Sequence, residues 1–177
     1  MNNKDIFKLV KTKDSTELEL ALEKGLITDI NLSEAGMKTT LLMTAVCLEL
    51  VKSVKLLLEY GADPNIQDVY GKTALHLLPE QQPIDWTLSK NKVEIAEILF
   101  NYGADINIKD QYDNQPLWTA VFEAANGNKE KLTIVKIYLQ HGADCNNKNK
   151  SGNSPLDFAK KVGYKPLIDI LEDSKIK

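Results

Sequence analysis

Apolar residues recur along the chain in segments of helical spacing, and each segment ends on a glycine. "LELALEKG", "VKLLLEYG", "AEILFNYG" and "VKIYLQHG" close on Gly25, Gly61, Gly103 and Gly142. An amphipathic helix needs such spacing, and glycine just past its last turn takes up the left-handed conformation that stops it. The pattern predicts helices that bury Leu56, Leu57, Leu99, Ile137 and Leu139 on one broad face. After three of the glycines the chain writes "GADPN", "GADIN" and "GADCN". Short Asp and Asn side chains bond nearby backbone groups, so a tight turn is expected there.

A second signal follows each turn. "KTTLLMTA", "GKTALHLL", "DNQPLWTA" and "GNSPLDFA" start at Lys38, Gly71, Asp113 and Gly152. A Thr or Ser followed by Pro or Ala and then Leu reads as a helix start, the hydroxyl capping free N–H groups and proline fitting the first turn. The glycines stand 36, 42 and 39 residues apart (25 to 61, 61 to 103, 103 to 142). The repeating unit is therefore hairpin-like loop, short helix, turn, longer helix.

With both signals in the same order in several copies, the sequence resembles the ankyrin-repeat family, whose unit of about 33 residues carries a T-P-L-H-x-A signature. "TALHLL" and "YGADIN" are its nearest copies here. The resemblance covers nearly the whole chain and implies an all-α solenoid of stacked helix-turn-helix units with hairpin loops. One domain is expected: an N-terminal cap over 1–31, repeats over 32–65, 66–107 and 108–146, and a C-terminal cap over 147–177. In the cap, Pro166 is placed to start the second helix. No single unit can bury its own apolar face, so stability comes from stacking.

The resemblance also implies a binding surface made by hairpin tips and the outer face of the short helices. By position it includes Met37, Thr39, Val69, Tyr70, Lys72, Gln111, Tyr112, Asn114, Lys150, Ser151 and Asn153. Tyr70 and Tyr112 occupy matching places in adjacent units, where they either grip a partner or pack on neighbouring hairpins. Two units exceed the family length. Their extra residues are read as loops between the helices, "PEQQPIDWTLSKN" over Pro79 to Asn91 and "VFEAANGNKEK" over Val121 to Lys131. Exposed loops often carry function, which adds Trp86, Phe122 and Glu123 to the candidates. Each aromatic has a second reading, as a pin that holds its own loop. His76 stands at the signature histidine, where the resemblance implies hydrogen bonds to the hairpin and helix start; Met43, Trp118 and Asp157 replace it in the other copies. His141 is expected to be solvated near a helix end.

Composition narrows the function without naming it. The chain has 177 residues, 43% of them hydrophobic and 27% charged, enough to bury a continuous core. A net charge of −3 offers no general excess of cations for a phosphate backbone. The polar start "MNNKDIFKLV" is unlike an export signal, and no apolar run reaches the roughly 20 residues that span a bilayer. A cytoplasmic monomer with neither nucleic-acid nor membrane partner is expected. Cys47 and Cys145 lie far apart, outside any metal-ligand spacing. No nucleophile–base pair or phosphate cradle is evident, so neither an enzyme nor a cofactor is expected. Asp63, Asp105 and Asp144 recur because the turn recurs. The function expected is a protein-binding scaffold for a partner the residues do not identify. The alternative is an immunity or inhibitor protein that neutralises a toxin or enzyme, as some bacterial relatives of the family resemble; a mildly acidic chain suits a basic target.

Overall fold

The computed structural model describes residues 1–80, 90–125 and 131–174. The described residues form ten helices in successive pairs: α1 (Asn3–Val10) with α2 (Thr16–Glu23), α3 (Leu41–Cys47) with α4 (Val51–Glu59), α5 (Ala74–Leu77) with α6 (Lys90–Asn101), α7 (Pro116–Ala124) with α8 (Leu132–Gln140), and α9 (Pro155–Val162) with α10 (Lys165–Asp173). First helices pack on first helices, α1 on α3, α3 on α5, α5 on α7 and α7 on α9. Second helices do likewise, α4 on α6, α6 on α8 and α8 on α10. The result is an all-α solenoid two helices thick. Among the described residues no strand forms, and the only bridge pairs Ser33 with Thr40. No described helix is long and apolar enough to cross a membrane.

The core runs unbroken through the stack, with Leu18, Leu41, Leu57, Leu75, Leu99, Leu117, Val135 and Leu167 all fully enclosed. Leu56 and Leu139, expected to be buried, are only half-buried and pack on its margin. They lie one position off the centre of the apolar face, and successive residues of a helix are about 100° apart around its axis.

The glycine stops act as the spacing requires. Gly61 (φ +88°) donates its N–H to Leu58 O at 3.0 Å, and Ala62 donates to Leu57 O at 2.9 Å. These two bonds satisfy the last free carbonyls of α4 and turn the chain out of the helix. The same pair of bonds recurs at Gly25, Gly103 and Gly142. At the end of α3, where no glycine stands, Glu49 adopts the left-handed conformation (φ +55°) and donates its N–H to Val46 O at 3.0 Å, while Leu50 donates to Ala45 O at 3.0 Å.

The Asp of each "GAD" closes its turn as expected, accepting the N–H two residues on: Asp63 Oδ1 from Asn65 at 2.8 Å, and Asp105, Asp144 and Asp29 in the same way. The following Asn does something the local pattern does not announce. Asn31 Oδ1 accepts the N–H of Asp63 at 2.9 Å, and Asn65 Oδ1 accepts that of Asp105 at 2.7 Å. Each ties its own turn to the next turn in the stack.

The two loop expectations need correction. Val121 to Ala124 belong to α7, because the apolar series Leu117, Ala120, Val121, Ala124 continues the helix and stays buried. Phe122 and Glu123 are therefore helical residues of the last turn of α7. Asn91 similarly belongs to α6, and at the other end of the loop Pro79 is buried and Glu80 half-buried. Trp86 lies outside the described residues.

Candidate functional site

The hairpin tips are joined into one row by backbone hydrogen bonds. Val69 N–H donates to Met37 O at 3.1 Å, Gln111 N–H to Tyr70 O at 2.8 Å, and Lys150 N–H to Tyr112 O at 2.9 Å. Each tip is held open by one side chain that accepts two N–H groups. Asp68 takes those of Tyr70 and Lys72, Asp110 those of Tyr112 and Asn114, and Asn149 those of Ser151 and Asn153. Gly71 is needed at the first of these tips. Its φ is +77°, and a Cβ there would come within 2.9 Å of Gln111 N.

On this frame Met37, Val69, Tyr70 and Tyr112 point outward, with Tyr112 59% exposed. Neither tyrosine ring packs against another described ring. The row of large apolar side chains is thus left to solvent. Gln111, Lys150, Ser151 and Asn153 are also exposed, although Lys150 Nζ folds back to Gln111 O at 2.6 Å. Thr39 is half-buried, and its carbonyl accepts Glu34 N–H at 2.9 Å.

Beside the row lies a groove of about 480 Å³ between the hairpins and α7. Lys72, Tyr112, Asn114, Phe122 and Glu123 line it, so the structure gathers five of the sequence candidates at one place. Trp118, Thr119, Glu80 and Asp110 complete the lining. Phe122 is 55% exposed and stacks on Phe158 with ring centres 5.7 Å apart; Trp118 lies 5.6 Å from the same ring. These three aromatics come from α7 and α9. The stacking of two units creates the platform. Trp118 could have been suspected from its place at the signature histidine; Phe158 carried no local signal.

Three candidates turn out to be partly committed to the scaffold. Asn114 donates to Asp110 Oδ2 at 3.3 Å and accepts from Asn149 Nδ2 at 3.0 Å. Glu123 pairs with the nearly buried Lys131 at 3.2 Å. Lys72 is half-buried and hydrogen-bonded to Glu80. Burial alone would lower the pKa of its ammonium, but the hydrogen bond and charge of Glu80 outweigh that and raise it.

His76 is buried between two anchors. Its Nδ1 accepts Thr73 N–H at 3.1 Å, and its Nε2 lies 3.0 Å from Asn114 O in the next hairpin. Nδ1 as acceptor leaves Nε2 as the donor, the neutral imidazole. Burial lowers its pKa, against the pull of the Asn114 carbonyl. The resemblance implied this role. His141 is exposed at the end of α8, as expected, and in addition its ring stacks on Phe100 with centres 3.8 Å apart, with Nε2 3.3 Å from Glu97. It clamps the ends of α6 and α8 together. Cys47 is an inert thiol whose pKa burial pushes up to about 11. No group of three or more His, Cys, Asp or Glu side chains among the described residues could hold a metal.

Comparison with known proteins agrees with this geometry. The family model described as "Ankyrin repeats (3 copies)" matches residues 5–110 and 84–177. An ankyrin repeat protein of Pyrobaculum aerophilum is 67% identical over 27 residues, which are 15% of this chain and 10% of that protein. The aligned stretch thus spans a tenth of that relative's length.

Proposed function

The chain belongs to the ankyrin-repeat family, whose members are generally protein-interaction modules, and from that premise we propose that it is a non-catalytic scaffold that holds one protein partner on its row of hairpin tips and the adjoining groove. The observation that carries this reading is the convergence of Tyr112, Phe122 and Trp118 on one groove beside the exposed Met37, Val69 and Tyr70. Surface aromatics on a rigid frame lose little side-chain freedom when they bind, and such residues supply most of the energy of protein interfaces. The frame itself is pre-ordered by the hydrogen bonds between hairpins.

Affinity capture from the cell of origin, repeated with Tyr70→Ala/Tyr112→Ala and with Phe122→Ala, tests the proposal. One partner held by the native chain and lost by the variants, with the melting temperature nearly unchanged, supports it. Equal capture by all three would remove this face from the function. The captured protein's own activity then separates two roles: its loss on binding marks the chain as an inhibitor, and its retention marks recruitment.

A further inference from the structure

The charged groups of the aromatic groove beside α7 are already engaged within the chain. Lys72 is bonded to Glu80, and Glu123 is paired with Lys131 at 3.2 Å. Asp110 accepts the N–H groups of Tyr112 and Asn114 at 2.8 and 2.9 Å and the Asn114 side-chain amide at 3.3 Å. Asn114 is engaged as well, with His76 Nε2 3.0 Å from its backbone carbonyl and Asn149 Nδ2 donating to its Oδ1 at 3.0 Å. A charged residue of a partner would have to break one of these pairings to gain its own, and a charge brought into the groove unpaired is costly. The occupant that fits is uncharged.

What the groove leaves unengaged is of another kind. Tyr112, Trp118 and Thr119 line it, and the Tyr112 hydroxyl, the Trp118 indole N–H and the Thr119 hydroxyl make no hydrogen bond among the described residues. An indole N–H can only donate. Trp118 and Phe122 stand one turn apart on α7, and both meet the ring of Phe158, at 5.6 and 5.7 Å. Tyr112, on the hairpin, belongs to the facing wall. The groove thus presents aromatic rings and free donors, while its carboxylates are taken.

That complementarity selects the conformation of the occupant. A helix keeps its carbonyls for its own N–H groups, and a strand brings N–H groups that need acceptors. A polyproline II segment leaves its carbonyls free, and its prolines have no N–H to satisfy. Resting on the protein-binding reading of this groove, we propose that the bound part of the partner is a proline-rich segment in that conformation. A proline ring lies between Tyr112 and the Trp118–Phe122 pair, and neighbouring carbonyls accept from Trp118 Nε1–H and the Tyr112 hydroxyl. Such a segment is extended before it binds, so little freedom is lost on docking.

The test titrates fluorescein-labelled, uncharged peptides of about ten residues, roughly three polyproline II turns, and reads fluorescence anisotropy. One is rich in proline, a second carries alanine at every proline, and a third is an amphipathic helix former. The proline-rich peptide is expected to bind the native chain roughly five-fold or more tighter than the other two, with little change as salt rises, because no free charge takes part. Phe122→Ala should remove that preference. Tyr112→Phe and Trp118→Phe keep a ring but lose a donor, and each should weaken the proline-rich peptide by about three- to ten-fold. Tyr112 is exposed, and circular dichroism checks that all three variants fold. Equal binding of the alanine peptide or the helix former, no binding by any peptide, unchanged preference in Phe122→Ala, or full binding by both donor variants overturns the proposal. Native-partner capture lost with Tyr70→Ala/Tyr112→Ala, while no proline preference appears, would overturn the proline assignment and leave the protein-binding reading standing.

Discussion

The hydroxyl of Tyr138 donates to the backbone carbonyl of Leu75 at 2.7 Å, across 63 residues of sequence. Tyr138 is fully buried in α8, and Leu75 belongs to α5 of the preceding unit. In a longer helix that carbonyl would accept the N–H of residue 79. Residue 79 is a proline and has none, so α5 stops after four residues and the carbonyl is satisfied from outside.

Removing that donor leaves a buried carbonyl unpaired. Tyr138→Phe should cost about 1–3 kcal/mol in urea unfolding, the usual penalty for such a group. Phenylalanine keeps the edge-on packing against Phe100, so the ring contact is not at issue. Pro79→Ala supplies a new N–H at the right position. In the Tyr138→Phe background it should recover part of the loss, and a double-mutant cycle would show the coupling.

Two tip glycines differ in surroundings but not in backbone. Gly71 and Gly152 have φ of +77° and +75°, yet a Cβ at Gly152 would meet nothing within 4 Å. Gly152→Ala should cost about 1–2 kcal/mol, the strain of a left-handed alanine. Gly71→Ala adds overlap with the backbone of the next hairpin, and about 3 kcal/mol in total is expected. Thermal melts of the two variants would separate strain from collision.

His76 makes stability depend on pH. The unfolded chain takes up a proton at this histidine near its ordinary pKa of 6.5, while the folded protein resists until the pH is lower. Protonation would turn Nδ1 into a donor facing the Thr73 N–H. The contribution is therefore complete above about pH 6.5 and declines as pH falls from there toward the folded pKa. Asp14 and Asp157, lowered by their bonds to Thr16 and Ser154, act only near and below their ordinary value of 3.8. Urea unfolding of His76→Asn should give a less stable protein at about pH 7.5 with a shallower loss between about pH 6.5 and 5. An unchanged slope would locate the titrating group elsewhere.

Glu49 holds a left-handed conformation and a carboxylate 3.7 Å from the nearly buried Lys92. Glycine at 49 would relieve about 1 kcal/mol of strain but leave Lys92, among the described residues, with the Glu80 carbonyl at 2.8 Å. Losing one partner of a buried pair outweighs that relief, so Glu49→Gly should lower stability by about 1–3 kcal/mol. Glu49→Gly/Lys92→Met should recover most of it, as read from denaturant midpoints.

The repeat was legible because its signals are local. A glycine stop, an Asp turn, a Thr or Ser cap and a proline in the first turn each act within about five residues, and Gly61, Asp63, Thr40, Ser154 and Pro155 all do what their spacing announces. Of the site, the hairpin-tip residues could be placed by register alone. Phe122 could not be distinguished from a loop residue, because the helix containing it continues only as long as its apolar face finds α8 and α9 to pack on.

The sequence by itself determined which segments become helices, where they stop, and that the units must stack. Only the tertiary structure decided what stacking brings together: Trp118 and Phe122 with Phe158, Asn31 with Asp63, and Tyr138 with Leu75. The reason is range. Backbone geometry and capping are settled among neighbours, whereas these contacts join residues some thirty to sixty positions apart and exist only once each unit has found the next.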